Sequence, residues 1–235
     1  MSEVPVERGP IDGDWVSLAE LADTRFDLAE AYFAEMARAY PGLDRRGQGA
    51  FFIGAVGYYL AEALADIVLR EDPLVAAGPE DFAVRPATDG SGFIYRLANE
   101  LDPSPEDAGA VCAACLAPLM LRVAAETRLG LAAQWRLLAD NVAAAFLEIG
   151  GTLGCGGEAR AHALEIVRGG GPLSNPQTGY HRLIVNGENR FFLRRGGCCR
   201  WFTADEGSYC ATCVMRDPEE QVVELKRYLA EAAAS

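Results

Sequence analysis

A chain of 235 residues, half of them apolar, is long enough for one medium domain, or one domain with a small appendage, and buries roughly 70 to 75% of its unfolded surface. The formal charge of −13, with 34 acids against 21 bases, argues against a nucleic-acid partner, because neutralising phosphates needs clustered Lys and Arg. A core of that size needs no covalent staples, so the seven cysteines want another explanation. Lys226 is the only lysine, and nearly all positive charge is arginine.

The opening residues MSEVPVERGPIDGDW are polar, with no apolar stretch after a basic start, and residues 1–14 read as a tail. Secretion is not expected. An odd number of unevenly spaced cysteines then predicts reduced thiols in a cytoplasmic protein.

Ser17 to Tyr40 carries apolar residues at helical spacing (Leu18, Leu21, Leu28, Tyr32, Phe33, Met36) and is stopped by Pro41 and Gly42. Asp44 to Arg70 predicts a second helix, and its stretch Ala50 to Leu69 is apolar enough to suggest a membrane span. Glu62 and Asp66 each cost up to roughly 2.5 to 3.5 kcal/mol near a bilayer centre, which the Phe, Ile, Leu and Val residues, at about 0.3 to 0.6 each, do not offset. The segment reads as a buried core helix. No transmembrane segment is expected, which leaves peripheral membrane contact open.

Between Asp81 and Leu97, two alternating runs flank a DGSG turn and predict a small hairpin. Ser104, Pro105 and Asp107 form a helix start for a segment through Leu116, and Pro118 is expected to break or kink it, making Leu119 to Arg128 separate or bent. Leu131 to Ile149 predicts a long helix ended by Gly150 and Gly151, and Gly156 to Val167 a shorter one. The glycines between them read as a cap and turn. The loop Gly169 to Gly179 follows, then the hairpin YHRLIV, NGEN, RFFLRR, with Asn186 and Gly187 at its turn. Asp217, Pro218 and Glu220 start a terminal helix through roughly Ala232. The fold class expected is mainly α: a helical body over residues 15–192 with small β-hairpins, a cysteine segment at 193–216, and a capping helix at 217–235.

The chemistry concentrates in RRGGCCRWFTADEGSYCATCVMRD, where Cys198 and Cys199 are adjacent, ten residues intervene, and Cys210 and Cys213 follow as Cys-x-x-Cys. Thiolates are soft ligands for zinc, copper(I) or iron–sulfur clusters. Structural zinc usually joins two Cys-x(2–4)-Cys knuckles, an arrangement that vicinal cysteines suit poorly because neighbouring side chains on extended backbone diverge. A two-iron cluster is wider and accepts sulfurs from divergent directions. Gly196 and Gly197 are expected to supply backbone freedom for a tight turn ahead of the pair.

This Cys-Cys-x10-Cys-x2-Cys pattern, after an arginine-bearing hairpin strand and near the carboxyl end, resembles the FhuF family of ferric-siderophore reductases. The resemblance implies that Cys198, Cys199, Cys210 and Cys213 hold a [2Fe-2S] cluster, and over the rest of the chain it extends only to an Ala- and Leu-rich helical body. It further implies one-electron reduction of Fe(III) in a hydroxamate or catecholate siderophore, releasing Fe(II), with an external donor such as a ferredoxin, flavodoxin or reductase. No G-x-G-x-x-G follows a strand and opens a helix, so no nicotinamide or flavin site is expected.

Residues 190–216 carry Arg190, Arg194, Arg195, Arg200 and Arg216 against Asp205 and Glu206, a local +3 within a remainder of −16. Such a collar suits a cluster whose iron, sulfide and thiolate charges leave a dianion, and it would raise the potential within the roughly −700 to +450 mV open to these centres. An ordinary solvated basic face accounts for the same arginines. Arg194, Arg195, Arg200, Trp201 and Tyr209 are candidates for tuning the cluster or touching substrate, with local packing the simpler role for Trp201, Phe202 and Tyr209. Cys112 and Cys115, three apart in a helix, read as small core residues, and Cys155 as a lone thiol. His162 and His181 have no partner at ligand spacing. Two other classes fit the same cysteines: an iron–sulfur electron-transfer or redox-sensing protein without its own substrate, and a helical protein in which the four cysteines hold a structural zinc ion.

Overall fold

A computed structural model describes residues 7–75, 77–87, 92–98, 107–185 and 187–233. The fold is mainly α, with seven α-helices and five short strands among those residues.

The long apolar stretch forms α3, and the other core elements are placed around it. Asp44 caps the helix, its carboxylate accepting from the Gly47 N–H at 2.7 Å, and the helix runs Arg45–Leu69. Apolar residues on every side of it are buried, including Phe52, Ile53, Val56, Leu60 and Leu64. The Phe52 ring meets Tyr32 and Phe33 at 5.4 Å each and Phe93 at 6.0 Å. Phe52→Ala is expected to cost about 3–5 kcal/mol of stability, read as a lower urea midpoint at unchanged slope.

The predicted helix from Ser17 to Tyr40 is two helices, α1 (Leu18–Ala22) and α2 (Asp27–Ala39). Ser17 and Glu20 close a capping box on α1, and the chain turns between them and Phe26. The break lets α1 pack against the next long helix while α2 packs against α3, burying Leu18 and Leu21 on one side and Phe33 on the other. Spacing within the segment does not distinguish these two destinations.

At Pro118 the fold excludes a break. Helix α4 runs unbroken from Ala108 to Thr127 with Pro118 inside it. Proline removes the hydrogen bond to the carbonyl of Ala114, and both Ala114 and Pro118 are exposed, so water can serve that carbonyl. Leu116, Leu119 and Met120 beside it are fully buried and hold the helix in place. Its cap is Asp107, expected inside the first turn, which instead precedes the helix and accepts from the Ala110 N–H at 2.8 Å; Ser104, the expected cap, and Pro105 lie outside the described residues.

Helix α5 (Leu131–Thr152) continues through Gly150 and Gly151 rather than stopping at them. Gly150 is there for close approach. A Cβ on it would lie 2.2 Å from that of Ala159 on α6 (Gly156–Arg168), so the pair of helices needs a bare Cα at the contact. The left-handed residue that does turn the chain is Gly154, at φ 75°.

Helices α3 and α4 are long and apolar enough to cross a membrane by composition, and 56% and 50% of their most apolar windows are buried within the protein. Strands β1 (Val16–Ser17), β2 (Phe82–Pro86) and β3 (Phe93–Leu97) form one antiparallel sheet in that order, so the first predicted hairpin gains a distant third strand. Of its DGSG turn, only Gly92 is within the described residues. The second hairpin is β4 (Gly179–Val185) with β5 (Glu188–Arg194), in register from Gly179 opposite Arg194 to Val185 opposite Glu188. Asn186 lies outside the described residues. A short 3-10 turn at Trp201–Thr203 and helix α7 (Pro218–Ala233) complete the chain, with Asp217 accepting from the Glu219 and Glu220 N–H groups at 2.9 Å.

Candidate functional site

Strand β5 delivers the chain from Arg194 into the cysteine segment, and α5 receives it. Asp140, in the middle of α5 and 2% exposed, accepts from the N–H of Gly196 at 2.7 Å, the N–H of Gly197 at 2.9 Å and the hydroxyl of Thr178 at 2.7 Å. Arg195 Nε lies 3.5 Å from its second oxygen. Burial pushes the Asp140 carboxyl up, opposed by Arg195, the two glycine N–H groups and Thr178.

Gly196 and Gly197 serve proximity here and not backbone freedom. Neither has a left-handed φ. A Cβ on Gly197 would stand 2.8 Å from the backbone nitrogen of Leu137, and one on Gly196 would meet the side chains of Asn175 and Thr178 at 2.3 and 2.7 Å. The expectation of conformational freedom is therefore replaced by close packing of the loop on α5. The left-handed residue is Arg200, at φ 62°, immediately after the cysteine pair.

Beyond this anchor the four thiols come into mutual electrostatic reach. Cys210 donates to the Cys199 sulfur, and that bond, with Arg195 beside it, lowers the Cys199 thiol to about 5 against the opposing effect of burial. The same hydrogen bond and burial push Cys210 up. Cys198, raised mainly by burial, feels Cys199 and Cys213, and Cys210 also feels Cys213. Two backbone N–H groups are aimed at sulfur, Arg200 to Cys198 and Trp201 to Cys199. Arg195 Nη1 is 4.0 Å from the Cys210 sulfur. Burial opposes the charge on Arg195, but Cys199, Asp140 and Cys210 together outweigh it and raise its pKa. Among the described residues no group of three or more His, Cys, Asp and Glu is arranged to hold a single metal ion.

The other arginines divide by role. Arg200 binds the Asp44 carboxylate through both Nε, at 3.0 Å, and Nη2, tying the cysteine loop to the cap of α3. Thr203 joins the same knot, its Oγ1 accepting from the Asp44 N–H at 3.3 Å. Arg194 donates to the carbonyls of Gln177 at 3.0 Å and Pro176 at 3.5 Å, and Arg216 to that of Tyr209 at 3.2 Å. Arg190 is exposed opposite Leu183 in the hairpin. Of the five, Arg195 is the guanidinium placed among the thiols.

Arg200 holds the Asp44 carboxyl below its usual value, aided by the Gly47 N–H and opposed by partial burial. The folded value thus lies below the unfolded 3.8, so the tie stabilises fully above that pH and is lost as pH falls through the folded value. Asp44→Asn should flatten the acid limb of a melting-temperature profile below about pH 4.

Trp201 packs edge-on against Tyr40 at 4.9 Å and beside Phe51 at 6.2 Å, whereas Tyr209 lies tilted against Phe202 at 5.4 Å near the surface. Cys112 and Cys115 are buried in α4, and the Cys115 thiol donates to the carbonyls of Ala77 and Gly78 at 3.3 and 3.4 Å. Cys155 sits at the start of α6. His181 is buried and bonded to Gln221 at 2.7 Å, and the Gln221 amide donates to the carbonyls of Cys213 and Arg216, so α7 clasps the end of the cysteine loop. His162 stands half-exposed between Glu158 and Glu165.

Sequence reasoning did not pick out Asp140 or Gln221. The signal for Asp140 is a lone carboxylate inside the apolar run LLADNVAAAF. A buried acid in such a run needs donors, and here they are supplied by the glycines before the cysteines.

The chain matches no family model and none of the curated proteins. The resemblance to FhuF-type reductases thus rests on the four cysteine positions.

Proposed function

We propose that the chain is a cytoplasmic ferric-siderophore reductase of the FhuF type, whose Cys198, Cys199, Cys210 and Cys213 hold a [2Fe-2S] cluster. The observation that carries this reading is the pairwise approach of the four thiols of the Cys-Cys-x10-Cys-x2-Cys pattern, Cys198 to Cys199 and Cys213 and Cys210 to Cys199 and Cys213, beside the Arg195 cation 4.0 Å from the Cys210 sulfur.

The donors suit such a centre. They are all sulfur, and their electrostatic contacts run in pairs around the loop. A bound [2Fe-2S] cluster supplies single electrons, which is what turning chelated Fe(III) into loosely held Fe(II) consumes, and a ferredoxin, flavodoxin or reductase would replace each one. Within the chain, Arg195 and the N–H groups of Arg200 and Trp201 stabilise negative charge on sulfur, an effect that grows with added charge and so favours the reduced state. Asp140 fixes Arg195 in that place, and Trp201, held by Tyr40 and Phe51, packs next to the cysteine pair.

The test is the visible spectrum of protein purified without oxygen, followed by turnover. A red-brown protein with charge-transfer bands, reoxidised by a ferric siderophore while Fe(II) accumulates in a chelating trap, is the expected result. A colourless, zinc-loaded protein would overturn the cluster. A coloured protein that no ferric hydroxamate or catecholate reoxidises would leave an electron-transfer or sensing role in place of the reductase.

A further inference from the structure

A cavity of about 510 Å³ lies between the end of α3, the first turns of α4, the face of α6 and the loop that follows α6. A second, of about 480 Å³, has Arg195, Cys199, Cys210 and Trp201 on its wall together with Gly54 of α3 and Asn141 of α5. The two linings share no residue, and their nearest members along α3, Tyr59 and Val68, are nine residues or about 14 Å of helix apart. We propose that the first cavity binds a small organic cation, an ammonium head on an apolar chain, whether or not the cysteines hold a cluster.

Small residues make the space. Helix α4 lines it with Ala108, Gly109, Ala110 and Ala113, and the loop passes it as Gly169, Gly170 and Gly171, the last two at φ 100° and 71°. The depth is apolar: Ala108, Gly109 and Leu173 are buried, and α4 meets α6 there so closely that a Cβ on Gly109 would stand 2.7 Å from the Ile166 side chain. The volume lies in the roughly 300–1,000 Å³ range of small-molecule sites, which commonly form between the helices of a bundle.

Charge sits at the mouth. Asp107 and Glu165 are exposed there, and among the described residues the lining contains no arginine or lysine. One ring nitrogen of His162, on the same wall, is 3.7 Å from Glu165, and the other is 3.8 Å from Glu158. The positive end of α4 is met by its own cap, Asp107, whereas α6 ends at the cavity and brings the negative end of its dipole there. An apolar depth below an acidic mouth takes the chain of an alkylammonium ion and balances its head, while a carboxylate of the same length meets like charge.

The full-length protein is titrated calorimetrically with octylammonium, octanol and octanoate, three probes that share a chain and differ in the head. Octylammonium should bind at least about tenfold more tightly than octanoate, with octanol between them. Glu165→Gln, at an exposed position, should weaken octylammonium about threefold and leave octanol unchanged. Ala113→Phe sets a ring into the space and should weaken octylammonium and octanol alike by about tenfold or more. Gly54→Leu fills the other cavity, where a Cβ meets nothing within 4 Å, and should bind octylammonium as the parent does.

Octanoate binding as tightly as octylammonium would overturn the choice of a cation. Parental affinity in a folded Ala113→Phe, or loss of octylammonium binding in Gly54→Leu, would overturn the location. Should Ala113→Phe fail to fold, Glu165→Gln decides in its place, and an unchanged octylammonium affinity there overturns the site. Failure of all three probes to bind the parent protein overturns it as well, and leaves the reductase reading to its own test.

Discussion

Cys210→Ser is expected to strip the protein of most of its iron, while Cys112→Ser leaves the iron in place. Cys210 donates to the Cys199 sulfur, lies 4.0 Å from Arg195 and faces the cavity beside Trp201. Serine keeps the size of the side chain but replaces a soft sulfur donor with a hard hydroxyl, and the proposed cluster loses one of its four sulfurs. Cys112 is fully buried in α4, where burial pushes its thiol well up and holds it protonated and inert. Iron per chain and the visible bands, measured on both variants purified alike, decide the matter. Equal loss in the two variants would overturn the assignment of ligands.

The second large effect concerns Asp140. Asp140→Ala should cost about 3–5 kcal/mol of stability, because it strands the half-buried Arg195 guanidinium and leaves the buried N–H groups of Gly196 and Gly197 without their acceptor. Arg195→Met should also destabilise, through the opposite fault of a buried carboxylate that has lost its cation. The double variant is expected to lose less than the two single losses added together, since the stranded charge is then absent from both sides. Urea unfolding of the four proteins gives the coupling directly. A loss below about 1 kcal/mol in Asp140→Ala would mean that the loop is held to α5 by packing alone and that Asp140 is not its anchor.

Asp140 also marks where reading the chain in order comes up short. Its carboxylate and the donors it gathers are separated by 38 residues at Thr178 and 56 at Gly196. The Asp44 to Arg200 tie spans 156 residues. Nothing in the periodicity or turn chemistry around either residue names the distant partner, because a hydrogen bond between remote segments leaves no local pattern. Arg200 accordingly looked like a candidate for the substrate or the cluster, and its guanidinium is held by Asp44. Arg194, another candidate, is engaged with loop carbonyls.

By contrast, features with local causes were legible. The hairpin around Asn186 and Gly187 is visible because turn residues and β-branched and aromatic flanks act within a dozen positions. The cap at Asp217 is visible because a carboxylate reaches N–H groups two or three residues on. Beyond the split of the first predicted helix into α1 and α2, the reading of elements failed at residues with two uses. Proline inside a helix usually breaks it, yet at position 118 the bond it removes faces water. Glycine often ends a helix, yet at position 150 it admits α6.

By itself, then, the sequence determined the mainly helical class, most of the helix and strand positions, and the grouping of four thiols in sixteen residues, all consequences of short-range chemistry. Tertiary structure alone decided which cation stands among those thiols, which buried acid pins their loop, and that the loop opens onto a cavity walled by α3 and α5. Those are relations between segments far apart in the chain, and packing is what brings them together.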